Sequence, residues 1–477
     1  FQGGAEAFAY IPQDMLKVIR RLYAQGGQRM DPREHVFGLA NSPKVRRICT
    51  ANCTQTGQEV WKTVLVMPEG MGGNDLFALD VSAPFTSNGV KSLTGTPPVS
   101  LLWHTETAVS SASKTSYDGA LGKTLSLPAF YYAKSSARSD YRTILASGYT
   151  DASNSSLGLK IVNATTSNGE VINTTSVQGL GASCAKPKVE PTEPTLLADV
   201  AVARRFGTYD FERIAAAYVG DTWGNLFRYV PPADTSGNIL SGAGTISAVD
   251  SFTCSHPLHF SPTIVQLDRH DSTKHPGEIY IAQVTNSSLD SVTVDVNGSY
   301  PASQIIIRKD VATSGSTVTP DLNWGPGTGR IVLSASNPAE ICAVWNTTTK
   351  TCTTPMPTRA RPMGSPTGVL RDDYEGFALI SSWYVPDANG CTKGDTYLVI
   401  HQVEANEQVK QIYGQNVGSE PVVGAVFAGG KLLVVLENGP REITTAGLAG
   451  IQSVPPTPAT GTALVDRYRR IGWTELP

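Results

Sequence analysis

Six times along the chain a proline leads into a short apolar extended run: Ser42-Pro43-Lys44-Val45, Leu127-Pro128-Ala129-Phe130, Glu193-Pro194-Thr195-Leu196, Ser261-Pro262-Thr263-Ile264, Ser365-Pro366-Thr367-Gly368 and Glu420-Pro421-Val422-Val423. Proline at the first position of a strand gives up no ladder hydrogen bond, so each marks the start of a strand rather than a break in one. Behind each comes a second apolar run, usually a glycine turn, and a third run. Thr63-Val64-Leu65-Val66, Gly72-Gly73-Asn74-Asp75 and Leu76-Phe77-Ala78-Leu79-Asp80 form one example. A strand-turn-strand unit repeated in this way restricts the chain to an all-β array of similar sheets, of which a β-propeller is the radial form. The leading prolines are 55 to 104 residues apart, more than the ~40–50 of a compact propeller repeat. Insertions are therefore expected, and residues 82–117, 173–192, 311–360 and 452–462, rich in Ser, Thr, Gly and Pro, are their predicted places.

The clearest copy of the unit is Tyr218-Val219-Gly220-Asp221-Thr222-Trp223-Gly224-Asn225-Leu226-Phe227-Arg228-Tyr229. Gly220 and Gly224 are expected at positive φ, and Asp221 and Asn225 to bond their own turn backbone. Trp223 and Asn225 then have a structural role. Met15, Val18, Ile19 and Leu22 recur at helical spacing opposite Lys17, Arg20 and Arg21, which predicts a short N-terminal helix over residues 13–25 packed on the β body. The last strand-like run, residues 462–473 with Trp473 as anchor, is the expected ring closure.

Charge narrows the partners. Thirty-eight basic and 41 acidic residues, interspersed, give a net charge of -3 and no field for a polyanion, so nucleic acid is not expected. No apolar run reaches the ~20 residues of a membrane span. Phe1-Gln2-Gly3 reads as a tag remnant, and residues 4–477 as a single domain. Seven cysteines lie among polar residues. Their spacing favours disulfides Cys49–Cys53, Cys342–Cys352 and Cys184–Cys254, with Cys391 left over, and an oxidising compartment.

Chemistry-bearing motifs are sparse. His256, His259, His270 and His275 are close in sequence but lack the carboxylate or cysteine partners of a zinc site. Asp387, Asn389 and Asp395 are weak calcium candidates, as are Asp151 to Asn154 and Asp295 to Gly298, and Asx turns account for each. No Gly-x-Ser-x-Gly elbow and no phosphate loop occurs. No catalytic residue, no metal and no cofactor is expected.

The chain resembles the C-terminal domain of the PilY/PilC proteins, tip adhesins and assembly factors of bacterial type IV pili. The resemblance rests on Trp61-Lys62-Thr63-Val64-Leu65-Val66, Gly72 to Val81, Leu101-Leu102-Trp103, Ser147-Gly148-Tyr149 and, above all, Tyr218 to Arg228. Phe8-Ala9-Tyr10-Ile11-Pro12 and Ile471-Gly472-Trp473-Thr474-Glu475-Leu476 resemble the domain's start and end. It implies a modified seven-bladed β-propeller with quinoprotein-like blades, exported to the bacterial cell surface, outer membrane or pilus tip. The implied work is binding minor pilins and host or abiotic surfaces, in support of pilus biogenesis and twitching motility. Many members carry an acidic calcium loop where this chain has Asp199 to Asp210, with Arg204 and Arg205 in place of acidic ligands. No Arg-Gly-Asp tripeptide occurs. A quinoprotein dehydrogenase is the enzyme alternative, and its adjacent cysteine pair is missing. A purely structural surface propeller is the third reading.

Overall fold

The computed structural model describes residues 10–12, 15–24, 38–52, 57–82, 85–86, 89–90, 99–105, 122–132, 141–148, 158–163, 171–177, 180, 196, 198–205, 213–233, 239, 244–252, 256–267, 275–285, 302–313, 317–326, 328–371, 375–387, 394–420, 422–428, 431–436 and 439–443. Within them, six antiparallel sheets of three to five strands follow one another along the chain. The first comprises Lys44–Ala51, Val60–Pro68, Leu76–Asp80 and Ser100–His104; the second Ala129–Tyr132, Tyr141–Ala146, Gly158–Asn163 and Val171–Ser176. The third comprises Ala201–Arg204, Ile214–Gly220, Asn225–Val230 and Thr245–Ser251. In the fourth, Thr263–Gln266, Glu278–Val284 and Gln304–Ala312 are edged by both Val318–Pro320 and Arg330–Ser334. The fifth is built on Gly376–Val385, Asp395–Glu404 and Val409–Gly418, and Val422–Ala428, Lys431–Leu436 and Gly439–Ile443 make the sixth.

The leading prolines mark what they were expected to mark. Strands begin at Lys44, Ala129, Thr263, Thr367 and Val422, each one residue after its proline. After Pro194 the strand begins later, at Ala201.

Strand period decides how the sheets pack. Successive side chains point to opposite faces, and here both faces are apolar, so one strand serves two cores. Ala217, Val219 and Phe227 join a core with Tyr131, Ile144 and Ala146 of the second sheet. Their neighbours Ala216, Tyr218 and Leu226 join another with Ile279, Ile281 and Ile306 of the fourth. Similar cores join the first sheet to the second, the fourth to the fifth and the fifth to the sixth. Each sheet thus packs face-on against the next in sequence, the arrangement of propeller blades. The described residues hold six such sheets; the closing run 462–473 lies outside them.

The insertion and helix readings need correction. Residues 311–360 are not a loop insertion. They supply two edge strands and the hairpin Cys342–Asn346/Thr351–Pro355, and Ile341, Cys342, Ala343 and Met356 are buried against the fourth and fifth sheets. The helix runs Met15–Ala24, but its apolar stripe is not all inward. Met15 is buried, whereas Leu16, Ile19 and Tyr23, at i, i+3 and i+7, are exposed. The expected 173–192 insertion begins inside the strand Val171–Ser176 of the second sheet, and Ser100–His104, inside the expected 82–117 insertion, is a strand of the first.

The Cys342–Cys352 disulfide is present. Gln411 of the fifth sheet pins its hairpin, accepting from the Cys342 N–H at 2.7 Å and donating to the Cys342 carbonyl at 2.8 Å. Replacing both cysteines by serine is expected to cost about 3 kcal/mol from loop-closure entropy. A denaturation midpoint that does not move, with and without reductant, would refute this. Cys49 is also disulfide-bonded, while Cys53, Cys184, Cys254 and Cys391 lie outside the described residues.

Candidate functional site

Strand Gln304–Ala312 begins with Ile305, Ile306 and Ile307 and continues with Arg308, Lys309 and Asp310, all buried. Alternation sends Arg308 and Asp310 to the Ile306 face, toward the third sheet, and Lys309 to the other. Asp310 is fully buried, and its Oδ2 accepts from the Tyr218 hydroxyl at 2.7 Å and from Arg228 Nη1 at 2.9 Å. Tyr218 and Arg228 stand directly opposite each other in the ladder of the Tyr218–Tyr229 hairpin, so neighbouring positions of one sheet grip one carboxylate of the next. Burial, with the Asp310 charge second, holds the Tyr218 phenol protonated well above the usual tyrosine range.

Arg308 has Arg330 as its cross-strand partner. Like charges in that position repel. Asp250 of the third sheet lies between them, its Oδ2 accepting from Arg308 Nη1 at 2.9 Å and its Oδ1 from Arg330 Nη1. The Arg330 guanidinium also lies 5.6 Å over the Phe252 ring, a favourable cation–π placement.

These side chains frame a cavity of about 510 Å³ between the third and fourth sheets. Three guanidiniums, of Arg228, Arg308 and Arg330, face two carboxylates there, leaving one positive charge in excess. The Nε atoms of Arg228 and Arg308 and the Oδ1 of Asp310 are buried with no hydrogen-bond partner among the described residues. Leu322, 60% exposed, and the half-exposed Arg330 form the outer lining. A cationic, partly desolvated cavity of this kind is suited to holding an anion.

On the other face, Lys309 is paired with Glu278 at 2.7 Å and Asp321 at 3.3 Å. His275 Nδ1 lies 3.0 Å from the second oxygen of Glu278, which also accepts from the Tyr280 hydroxyl at 2.9 Å. This group ties the edge of the fourth sheet together, and His275 Nε2 lies 3.6 Å from Glu375, beside the fifth sheet.

The turn between Ile214–Gly220 and Asn225–Val230 is held by Asp221. Its Oδ1 accepts from the N–H groups of Trp223 at 2.9 Å and Asn225 at 2.7 Å, and its Oδ2 from the Asn225 side-chain amide at 2.9 Å. Despite these bonds, burial pushes the Asp221 carboxyl up to about 6. Gly224 takes the expected left-handed angle, φ +80°. Gly220 does not; it is required instead because a Cβ there would meet the Leu258 Cβ at 2.5 Å.

Of the calcium candidates only Asp387 and Asp395 are among the described residues; residues 151–154 and 295–298 lie outside them. Asp395 is exposed at the start of its strand, paired in register with Val385, Asp387 is half-buried just beyond, and Asn389 lies outside the described residues. No group of three His, Cys, Asp or Glu side chains able to hold a metal occurs among the described residues. In the stretch from Asp199, the aspartate accepts from the Leu127 N–H at 2.7 Å, and the Arg204 backbone exchanges two 2.8 Å bonds with the Gln266 side chain. His256 is held neutral by burial, His275 joins Glu278, and His270 lies outside the described residues. Sequence reasoning missed Asp250, Arg308, Asp310 and Arg330. The visible signal was three charged residues, 308–310, continuing an isoleucine run inside a strand.

Fold and cavity together define an all-β, propeller-type protein with an arginine-lined pocket between two blades. The chain is similar in fold to the C-terminal domain of PilY1 from Pseudomonas aeruginosa, with a TM-score of 0.51 at 15% identity over 92% of this chain and 88% of that one. An N-acetylgalactosamine deacetylase from F. plautii and an α-L-arabinanase from Penicillium chrysogenum are also similar, each with a TM-score of 0.30 and 12% identity over 67% of this chain, and over 81% and 78% of theirs. No family model and no curated protein sequence matches.

Proposed function

We propose that this chain is a pilus-associated adhesin and assembly domain of the PilY/PilC kind, exported and displayed at the bacterial surface or pilus tip. The carrying observation is the fold shared with the PilY1 C-terminal domain along nearly the whole chain. The Tyr218 to Arg228 hairpin, on which the sequence resemblance chiefly rests, forms the middle of the third sheet in that fold. The Cys342–Cys352 disulfide supports an oxidising location. No described helix is long and apolar enough to cross a membrane. In this reading the domain binds rather than catalyses: it holds minor pilins in the priming complex and presents its loops to a host or abiotic surface.

The test is twofold. The purified protein, presented with the minor pilins of its own producer, is expected to retain them in a pull-down at micromolar concentration, and deletion of its gene to abolish twitching. Failure of both would sink the proposal.

A further inference from the structure

We propose that the cavity between the third and fourth sheets binds a small monocarboxylate of monosaccharide size, an acidic sugar, through the guanidiniums of Arg308 and Arg330. The ion pairs around it account for only part of its chemistry. Asp310 Oδ2 takes Tyr218 and Arg228, and Asp250 takes Arg308 and Arg330. A cluster serving only to clamp two sheets needs matched charges, yet one guanidinium is in excess. A guanidinium charge left unneutralised at a partly desolvated site costs stability, and an anion beside it recovers part of that cost. One excess positive charge is neutralised by one carboxylate, whereas a dianion would overshoot. The planar guanidinium fork matches a carboxylate bidentately. A cavity of about 510 Å³ is within the range of small-ligand sites. Its remaining lining suits a sugar ring: the hydroxyls of Ser247 and Thr328 for ring hydroxyls, and Pro320 and Leu322 for its C–H face.

This reading does not rest on the pilus proposal, and either can fail alone. Calorimetric titration of the whole protein with glucuronate, galacturonate, N-acetylneuraminate, glucose and inorganic phosphate tests it. At least one acidic sugar is expected to bind, with a dissociation constant of about 1 mM or tighter, weakened by salt, while glucose and phosphate do not. Arg330→Ala is expected to weaken that binding at least about tenfold with the melting curve retained, because Arg330 is half-exposed and its loss leaves Asp250 paired with Arg308. Leu322→Glu places a negative charge at the exposed rim without touching a guanidinium, and is expected to weaken binding similarly. The proposal is overturned if no acidic sugar binds at about 20 mM, far above that constant, if glucose or phosphate binds as well as the acids, or if both variants bind like the parent.

Discussion

Asp310→Ala is expected to lower the unfolding free energy by about 3–5 kcal/mol, the usual cost of removing one partner of a buried ion pair. The carboxylate is fully buried and accepts from both the Tyr218 hydroxyl and Arg228 Nη1. Its loss strands a guanidinium whose side chain is only 12% exposed, together with a buried phenol that has no route to water. Coulomb attraction alone is not the source of the effect, since the pair replaced as a whole would cost far less. The double change Asp310→Ala with Arg228→Met is therefore expected to recover more than half of the loss. As a contrast, Lys410→Ala breaks the pair with Glu404 at 3.2 Å, in which the lysine is 55% exposed, and screening limits its cost to about 0–1 kcal/mol. Denaturation midpoints of the four proteins decide the matter. A loss below about 1 kcal/mol for Asp310→Ala would mean that the third and fourth sheets are held by their apolar core alone.

How far these features were legible in the sequence follows from how local their causes are. A proline acts on its own residue, so the strand starts at Lys44, Ala129, Thr263, Thr367 and Val422 could be read one by one. The turn at Asp221 closes within five residues and was equally visible. Gly220 was read by the wrong cause, because the atom that excludes a side chain there belongs to Leu258, 38 positions downstream. The same distance effect hid the cavity. Asp250 meets Arg308 and Arg330 across 58 and 80 positions, and Tyr218 meets Asp310 across 92. No periodicity within one strand carries such a pairing; it needs the order and twist of two whole sheets. Residues 311–360 were misread because Ser, Thr, Gly and Pro dominate the stretch, while the few residues that bury it, Trp324, Ile341 and Met356, are too widely spaced to show a period.

Two buried groups make the acid response of the fold a difference between opposing effects. His401, in the middle of the fifth sheet, has its Nε2 2.8 Å from the Glu340 carbonyl, and burial lowers its pKa from 6.5 to about 4. The neutral ring donates that bond; the folded state resists a second proton more than the unfolded chain does. The stability carried by neutral His401 is thus complete above pH 6.5 and disappears as pH falls through 4, a loss of about 3 kcal/mol. Asp221 has the opposite sign. Burial raises its pKa from 3.8 to about 6, so the folded state takes the proton first, and its contribution is greatest below 3.8 and lost as pH rises through 6. That too is about 3 kcal/mol. Between pH 6.5 and 4 the two nearly cancel in the parent protein. Asp221→Asn, whose amide oxygen still accepts from Trp223 and Asn225 once the Asn225 amide turns over, leaves His401 unopposed. Its stability relative to the parent should fall by about 3 kcal/mol across that window. His401→Gln keeps a donor for Glu340 and leaves Asp221 unopposed, so its relative stability should rise by about the same amount as pH falls. Denaturation midpoints of the three proteins at several pH values between 4 and 7 measure both slopes. Parallel profiles in all three would show that neither group titrates in this window, and that the carboxylate in the Asp221 turn is held charged by its three hydrogen bonds against the cost of burial.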